Sequence, residues 1–153
     1  MRMRKSASAL GLTLAIAIGF PTAGLAATFG SMGAYEGSVR VGEASGGAVY
    51  NESGGITERI RFRDLKADGD GAYGVARHQA YQRGCNPGTN ICYWAWRGVY
   101  EDQTDRYGSA YGWRTSYMHE EGHNAGDWRT KPGICVDQSW EPDACGWKSY
   151  INP

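Results

Sequence analysis

From residue 56 onward the chain alternates. In "ITERIRFRDL", Ile60 and Phe62 fall on one side of an extended backbone and Arg59, Arg61 and Arg63 on the other. Strand side chains point in turn to two faces, so one apolar row at period two predicts a strand half-buried against a core. "ADGDG" at 67–71 predicts a turn, and "AYGVARHQAYQR" alternates again, with Tyr73, Val75, Arg77, Gln79 and Tyr81 on one side. "ICYWAWRGVY" has the β-branched and aromatic content of a central strand. After the polar "EDQTDRYGS", "SAYGWRTSYM" places Tyr111, Trp113, Thr115 and Tyr117 on one face, and "GICVDQSW" predicts a last strand. Ahead of all these, "TFGSMGAYEGS" scatters Phe29, Met32 and Tyr35 among glycines without either period, and is expected to be an extended arm over 27–36. No stretch of ten residues keeps a 3.6-residue period free of glycine. The expected fold is all-β: a single small antiparallel sheet or sandwich over 37–153, with neither an internal repeat nor a second domain.

Residues 1–26 follow another rule. Arg2, Arg4 and Lys5 precede an apolar run from Leu10 to Phe20, then Pro21 and the small-residue stretch Ala23–Ala27. That order predicts a secretory signal peptide cut after Ala26, with Gly24 three residues from the cut. The apolar run is too short to cross a hydrocarbon core of about 30 Å. The mature chain is therefore expected to be secreted and extracellular, with no membrane partner. Removing three basic residues leaves 13 Lys and Arg against 16 Asp and Glu, a net charge of −3. Such a chain has no cationic excess with which to grip phosphates, so nucleic acid is not an expected partner.

Cys85, Cys92, Cys135 and Cys145 make an even count, which in an exported chain predicts two disulfides. Three connectivities are possible. Local pairing, Cys85–Cys92 and Cys135–Cys145, is expected because each would close a short loop holding turn residues, Asn86-Pro87-Gly88 in one and Pro142-Asp143 in the other. A four-thiolate zinc site is disfavoured, since neither pair has the tight spacing of structural zinc modules.

"MHEEGHNAGDWR" at 118–129 contains H-E-x-x-H in His119, Glu120 and His123. In zinc proteases a helix puts residues four apart on one face, where both imidazoles hold the ion and the glutamate activates its water. Here the motif follows an aromatic strand, has Gly122 inside it, and has only Met118 and Ala125 to offer a helix as an apolar face. A third ligand in the short secreted zincins would fall at Arg129, a permanent cation. The expected state is a solvated loop with no metal, no cofactor and no catalytic residue; a small zinc protease using 119–123 is the enzyme alternative.

Three further patterns have bland readings. Asp68, Asp70 and Gly71 imitate a calcium loop, but its first and last ligand positions would be Lys66 and Arg77, which predicts a tight turn instead. His78, alone in a strand pattern, is expected to be structural or exposed. All six tryptophans lie between Trp94 and Trp147. Trp94 and Trp96 are expected in the core, and Trp128 or Trp140, on loops, are the better candidates for binding a sugar or a protein.

Taken together, the signal sequence, the glycine-rich arm, "RIRFRDLKADGDGAYG" and the ending "ICVDQSWEPDACGWKSYINP" resemble the small two-disulfide proteins exported by filamentous actinobacteria. Within that group the plan is similar to the adaptor subunit of umbrella toxin particles. The resemblance implies a β-module without an active site, joining a lectin-bearing subunit to a stalk subunit that carries the toxin. It implies that the arm, with Phe29, Met32 and Tyr35, inserts into the lectin-bearing partner while the sheet accepts a strand from the stalk. The alternative is a secreted hydrolase inhibitor, because "WRGVYEDQT" resembles the strand and turn of small actinobacterial amylase inhibitors, although their disulfides close longer loops.

Overall fold

Two antiparallel four-stranded sheets, packed face to face, make up the computed structural model, which describes residues 27–153. The strands are β1 (Ala27–Glu36), β2 (Val39–Tyr50), β3 (Ile56–Asp64), β4 (Ala72–Cys85), β5 (Cys92–Gln103), β6 (Arg114–Glu120), β7 (Asp127–Val136) and β8 (Ala144–Trp147). One sheet runs β1-β2-β3-β6 and the other β5-β4-β7-β8. The expected signal peptide lies outside the described residues. No described helix is long and apolar enough to cross a membrane.

The alternation in β3 holds: Ile56, Ile60 and Phe62 are buried, while Arg59 and Arg61 are exposed. Its inner row also carries Glu58 and Asp64, two carboxylates turned away from solvent. β4 alternates as well. Its core row is the small one, Ala72, Gly74, Ala76, His78 and Ala80, and the larger Tyr73 row lies against the outside of the sheet. Small residues there let Ile60 of the opposite sheet approach the backbone at Gly74.

Three elements differ from the sequence expectation. First, the glycine-rich segment over 39–50, where the sequence predicted no element, is a strand, β2, which pairs with both β1 and β3. Its glycines mark close approaches: a Cβ on Gly46 would lie 2.0 Å from the Arg59 carbonyl oxygen and 2.7 Å from the Phe29 ring. Second, the arm over 27–36 is extended but not free. It is β1, and Phe29 and Met32 lie in the protein's own core beside Val41, Phe62 and Ile134. A register shift between Phe29 and Met32 brings side chains three residues apart to the same face, which is why period two is hidden there. Third, Ser109–Tyr111 is a 3-10 turn, so the strand foreseen from Ser109 begins only at Arg114. The "ADGDG" segment likewise belongs to a link between the sheets, since β3 and β4 lie in different ones.

Both disulfides are the local pairs, Cys85–Cys92 and Cys135–Cys145. The first clips the end of the β4–β5 hairpin; the second ties β8 to β7. Replacing Cys135 and Cys145 by serine is expected to lower stability by about 2–3 kcal/mol through the freed loop entropy of the unfolded chain. Urea unfolding at neutral pH measures this, and an unchanged midpoint would count against it.

The sheets meet most closely where β1 approaches β8. A Cβ on Gly146 would sit 1.8 Å from the Gly33 carbonyl oxygen, so only glycine fits there.

Candidate functional site

H-E-x-x-H runs out of a strand into a turn. His119 and Glu120 are the last residues of β6, opposite Thr57 and Ile56 of β3. Neighbours in a strand face opposite ways, so His119 sits exposed while Glu120 turns with Met118 toward the interior. Gly122, His123 and Asn124 then all take positive φ, at 80°, 56° and 47°. Three successive left-handed residues are the reverse of what an α-helix needs. The spacing that lets two imidazoles share an ion is therefore not formed.

His123 is engaged elsewhere. Its Nε2 lies 2.9 Å from Glu120 Oε1, and its ring stacks on Tyr100 with centroids 4.0 Å apart and meets Trp128 edge-on. Gln82 donates to its carbonyl oxygen. The His119 backbone N–H donates to Asp102 Oδ2 at 3.3 Å. Among the described residues no three His, Cys, Asp or Glu side chains are grouped to hold a metal ion. His119→Ala is expected to change stability by less than about 0.5 kcal/mol, as exposed substitutions do; a loss above about 2 kcal/mol in thermal unfolding would show that the ring has a partner.

A polar cluster in the core escaped sequence reasoning. Glu58 of β3 accepts a hydrogen bond from Thr130 Oγ1 of β7 at 2.6 Å, and its other oxygen has no partner. His78 stands opposite Thr130 in the β4–β7 ladder, fully buried, with neither ring nitrogen hydrogen-bonded. Burial raises the Glu58 carboxyl to about 8 against the pull of Thr130, and Asp102 adds to the rise. Burial likewise lowers His78 to about 4, opposed by Asp102 and Glu120. Parity could have found Glu58, since it shares its row with Ile56, Ile60 and Phe62.

The tryptophans redistribute. Trp128, expected on a loop, is 1 % exposed and donates through Nε1 to the Gly54 carbonyl at 3.0 Å. Trp94, expected in the core, is 49 % exposed, and Trp96 is half-buried on the outer face beneath the Arg129 guanidinium, 4.5 Å from its ring centre. Trp140 does lie on a loop and is 98 % exposed. Of the three arm residues only Tyr35, at 55 %, faces solvent.

The exposed aromatics of β5 lie on both of its faces, because Tyr93 and Trp94 are neighbours in the strand. The β4–β5 hairpin extends to the Cys85–Cys92 bridge and exposes Ile91, Tyr93 and Trp94 near its end. Tyr81 stacks on Trp94 at 5.7 Å and tilts against Trp96 at 5.2 Å, while Arg97 lies over Tyr93 at 4.8 Å. The aromatic rings are thus held by neighbours and by a covalent clip. β5 is an edge strand, and a bulge at Gly98 interrupts its pairing with β4 near His78. What this arrangement offers chemically is apolar area and unpaired backbone groups on a fixed support. Comparison with protein-family models, with curated proteins and with solved structures found no match for this chain.

Proposed function

We propose that this chain is a secreted, non-enzymatic binding module that joins subunits of an extracellular complex. The observation that carries the reading is the β4–β5 hairpin. It presents Ile91, Tyr93 and Trp94 to solvent on a disulfide-clipped edge of the sheet. Exposed aromatics cost little entropy to fix when already packed against neighbours, and they contribute most where interfaces are energetically strong. An edge strand adds backbone donors and acceptors that an extended partner segment can complete.

The resemblance to the adaptor of umbrella toxin particles supplies candidate partners, a lectin-bearing subunit and a toxin-bearing stalk. In this reading the stalk contributes the strand that β5 receives. The arm needs amendment: with Phe29 and Met32 committed to the core, Tyr35 is the part of 27–36 left for a partner.

The test is retention of secreted subunits on the immobilised protein. Large subunits from culture supernatant are expected to bind the native chain and to be lost from a Tyr93→Ser, Trp94→Ser variant that unfolds normally. Equal retention by that variant removes the hairpin from the reading. Nanomolar inhibition of an amylase, or stoichiometric zinc with Glu120-dependent proteolysis, would replace the reading with the inhibitor or the enzyme.

A further inference from the structure

At the opposite end of β4 from the hairpin, the β7–β8 loop projects Trp140. With 98 % of its surface in water, neither face of the indole is covered. The loop that carries it is nonetheless anchored. Cys135–Cys145 closes it, the Asp137 N–H donates to the Gly71 carbonyl at 3.0 Å, and Ser139 Oγ donates to Asp70 Oδ1 at 2.7 Å. Beside it opens a groove of about 370 Å³ walled by Glu36, Lys66, Asp68, Asp70, Trp140 and Glu141. Four carboxylates thus face one ammonium. Lys66 is already held by Glu36 at 2.7 Å and by Asp68 at 3.1 Å, while Glu141 has no ionic partner among the described residues.

Two residues from Lys66 in the chain is a fifth carboxylate, Asp64, with a buried Oδ2 that has no hydrogen-bond partner. Burial raises its pKa, and the nearby Asp68 and Asp70 raise it further against the Lys66 N–H that it accepts. This end of the sandwich is therefore short of positive charge.

We infer that the Trp140 groove docks a cationic, extended Lys- or Arg-bearing segment of a partner protein. An ammonium or guanidinium over the open indole gains cation–π attraction, and the flanking carboxylates supply the opposite charge. A second copy of this chain fits less well. From Gly71 to Tyr100 the sequence has no Asp or Glu, so its hairpin end is cationic. Its Arg97 is stacked on Tyr93, however, Arg77 is paired with Glu101, and on β3 Arg61 and Arg63 lie over Trp113, which leaves Arg83 and Arg59, on separate strands, against four carboxylates. The inference rests on reading the chain as a binding module, and it adds a second surface, remote from the hairpin, with the chemistry of its partner.

The test is calorimetric titration of the full mature chain with a Lys/Arg-rich decapeptide, with an Asp/Glu-rich decapeptide of equal length as control. Saturable 1:1 binding is expected, with a shift of the Trp140 indole N–H resonance. Trp140→Ala, and separately Glu36→Gln with Glu141→Gln, should each weaken it by about tenfold or more, and raising salt from about 50 to about 300 mM should weaken it further. These positions are exposed, so the variants should keep native unfolding midpoints. Absence of binding, equal binding of the acidic control, or unchanged binding by Trp140→Ala overturns the inference. A salt-dependent dimer of the native chain that Trp140→Ala abolishes overturns it too, because the occupant is then a second copy. The hairpin variant separates the two proposals. If it loses secreted subunits but keeps the peptide, both surfaces stand; if the native chain keeps subunits but ignores the peptide, only the groove falls.

Discussion

Trp128→Ala is expected to lower the unfolding free energy by about 3–5 kcal/mol, the largest loss for any tryptophan in the chain. The indole fills the space between Ala48, Ile56 and Ala80, with Tyr100 and His123 against its rings. The two alanines have no side-chain length with which to collapse into the vacated volume, and Ile56 alone cannot fill it. The substitution also leaves the Gly54 carbonyl without its donor. That bond ties the β2–β3 turn to β7, so loss of the ring should loosen the left-handed 122–124 turn as well. Denaturant unfolding alongside Trp94→Ala gives the comparison: half of Trp94 is already in water, and its removal should cost about 1 kcal/mol. If the two variants unfold at the same denaturant concentration, Trp128 is not the keystone assigned to it.

The second large effect is a dependence on pH set by Glu58. Its native pKa is raised from 4.5 to about 8, so the folded chain holds a proton that the unfolded chain releases. Its share of stability is fully present below pH 4.5 and drains away as pH rises through 8. A shift of that size corresponds to about 4–5 kcal/mol in total. His78 acts in the other sense. Its pKa is lowered from 6.5 to about 4, so its share is present above 6.5 and is lost as pH falls through 4. Between about 4.5 and 6.5 the two slopes cancel, and native stability should be flat; above 6.5 only the Glu58 slope remains and stability should fall. Glu58→Gln removes that slope. The variant should gain stability from pH 4.5 to 6.5 and then stay level, overtaking the native chain on the alkaline side. Midpoints measured at intervals from pH 4 to 9 decide it, and parallel profiles for the two proteins would refute the assignment.

How much of this could be read from the sequence depends on what each residue type reveals alone. Ile60 and Phe62 against Arg59 and Arg61 state their faces outright, and β3 follows. The disulfide pairs were legible because proline, glycine and asparagine between the cysteines already bend the chain. β2 was not legible. Its inner row includes Gly42 and Gly46, whose contribution is room for Val136 and Phe29, and room leaves no hydrophobic signal. Nor could the tryptophans be sorted by type. Trp94 and Trp128 share the same chemistry, but the hairpin carries Trp94 beyond the core while Trp128 enters it as the second residue of β7. For the candidate surfaces, Trp140 was found because Pro142 and the second cysteine pair mark its loop; the acids around it come from Glu36, Asp68 and Asp70, which only the fold brings together.

The contact at Gly33 and Gly146 also bears on the order of assembly. More than a hundred positions separate the two glycines along the chain, so the contact between them forms only once both strands are present. Ribosomes deliver the first of these segments long before the last, so the seam cannot close on a growing polypeptide. A nascent chain halted before residue 144 should remain protease-sensitive along its leading strand, with Phe29 and Met32 still waiting for their cover.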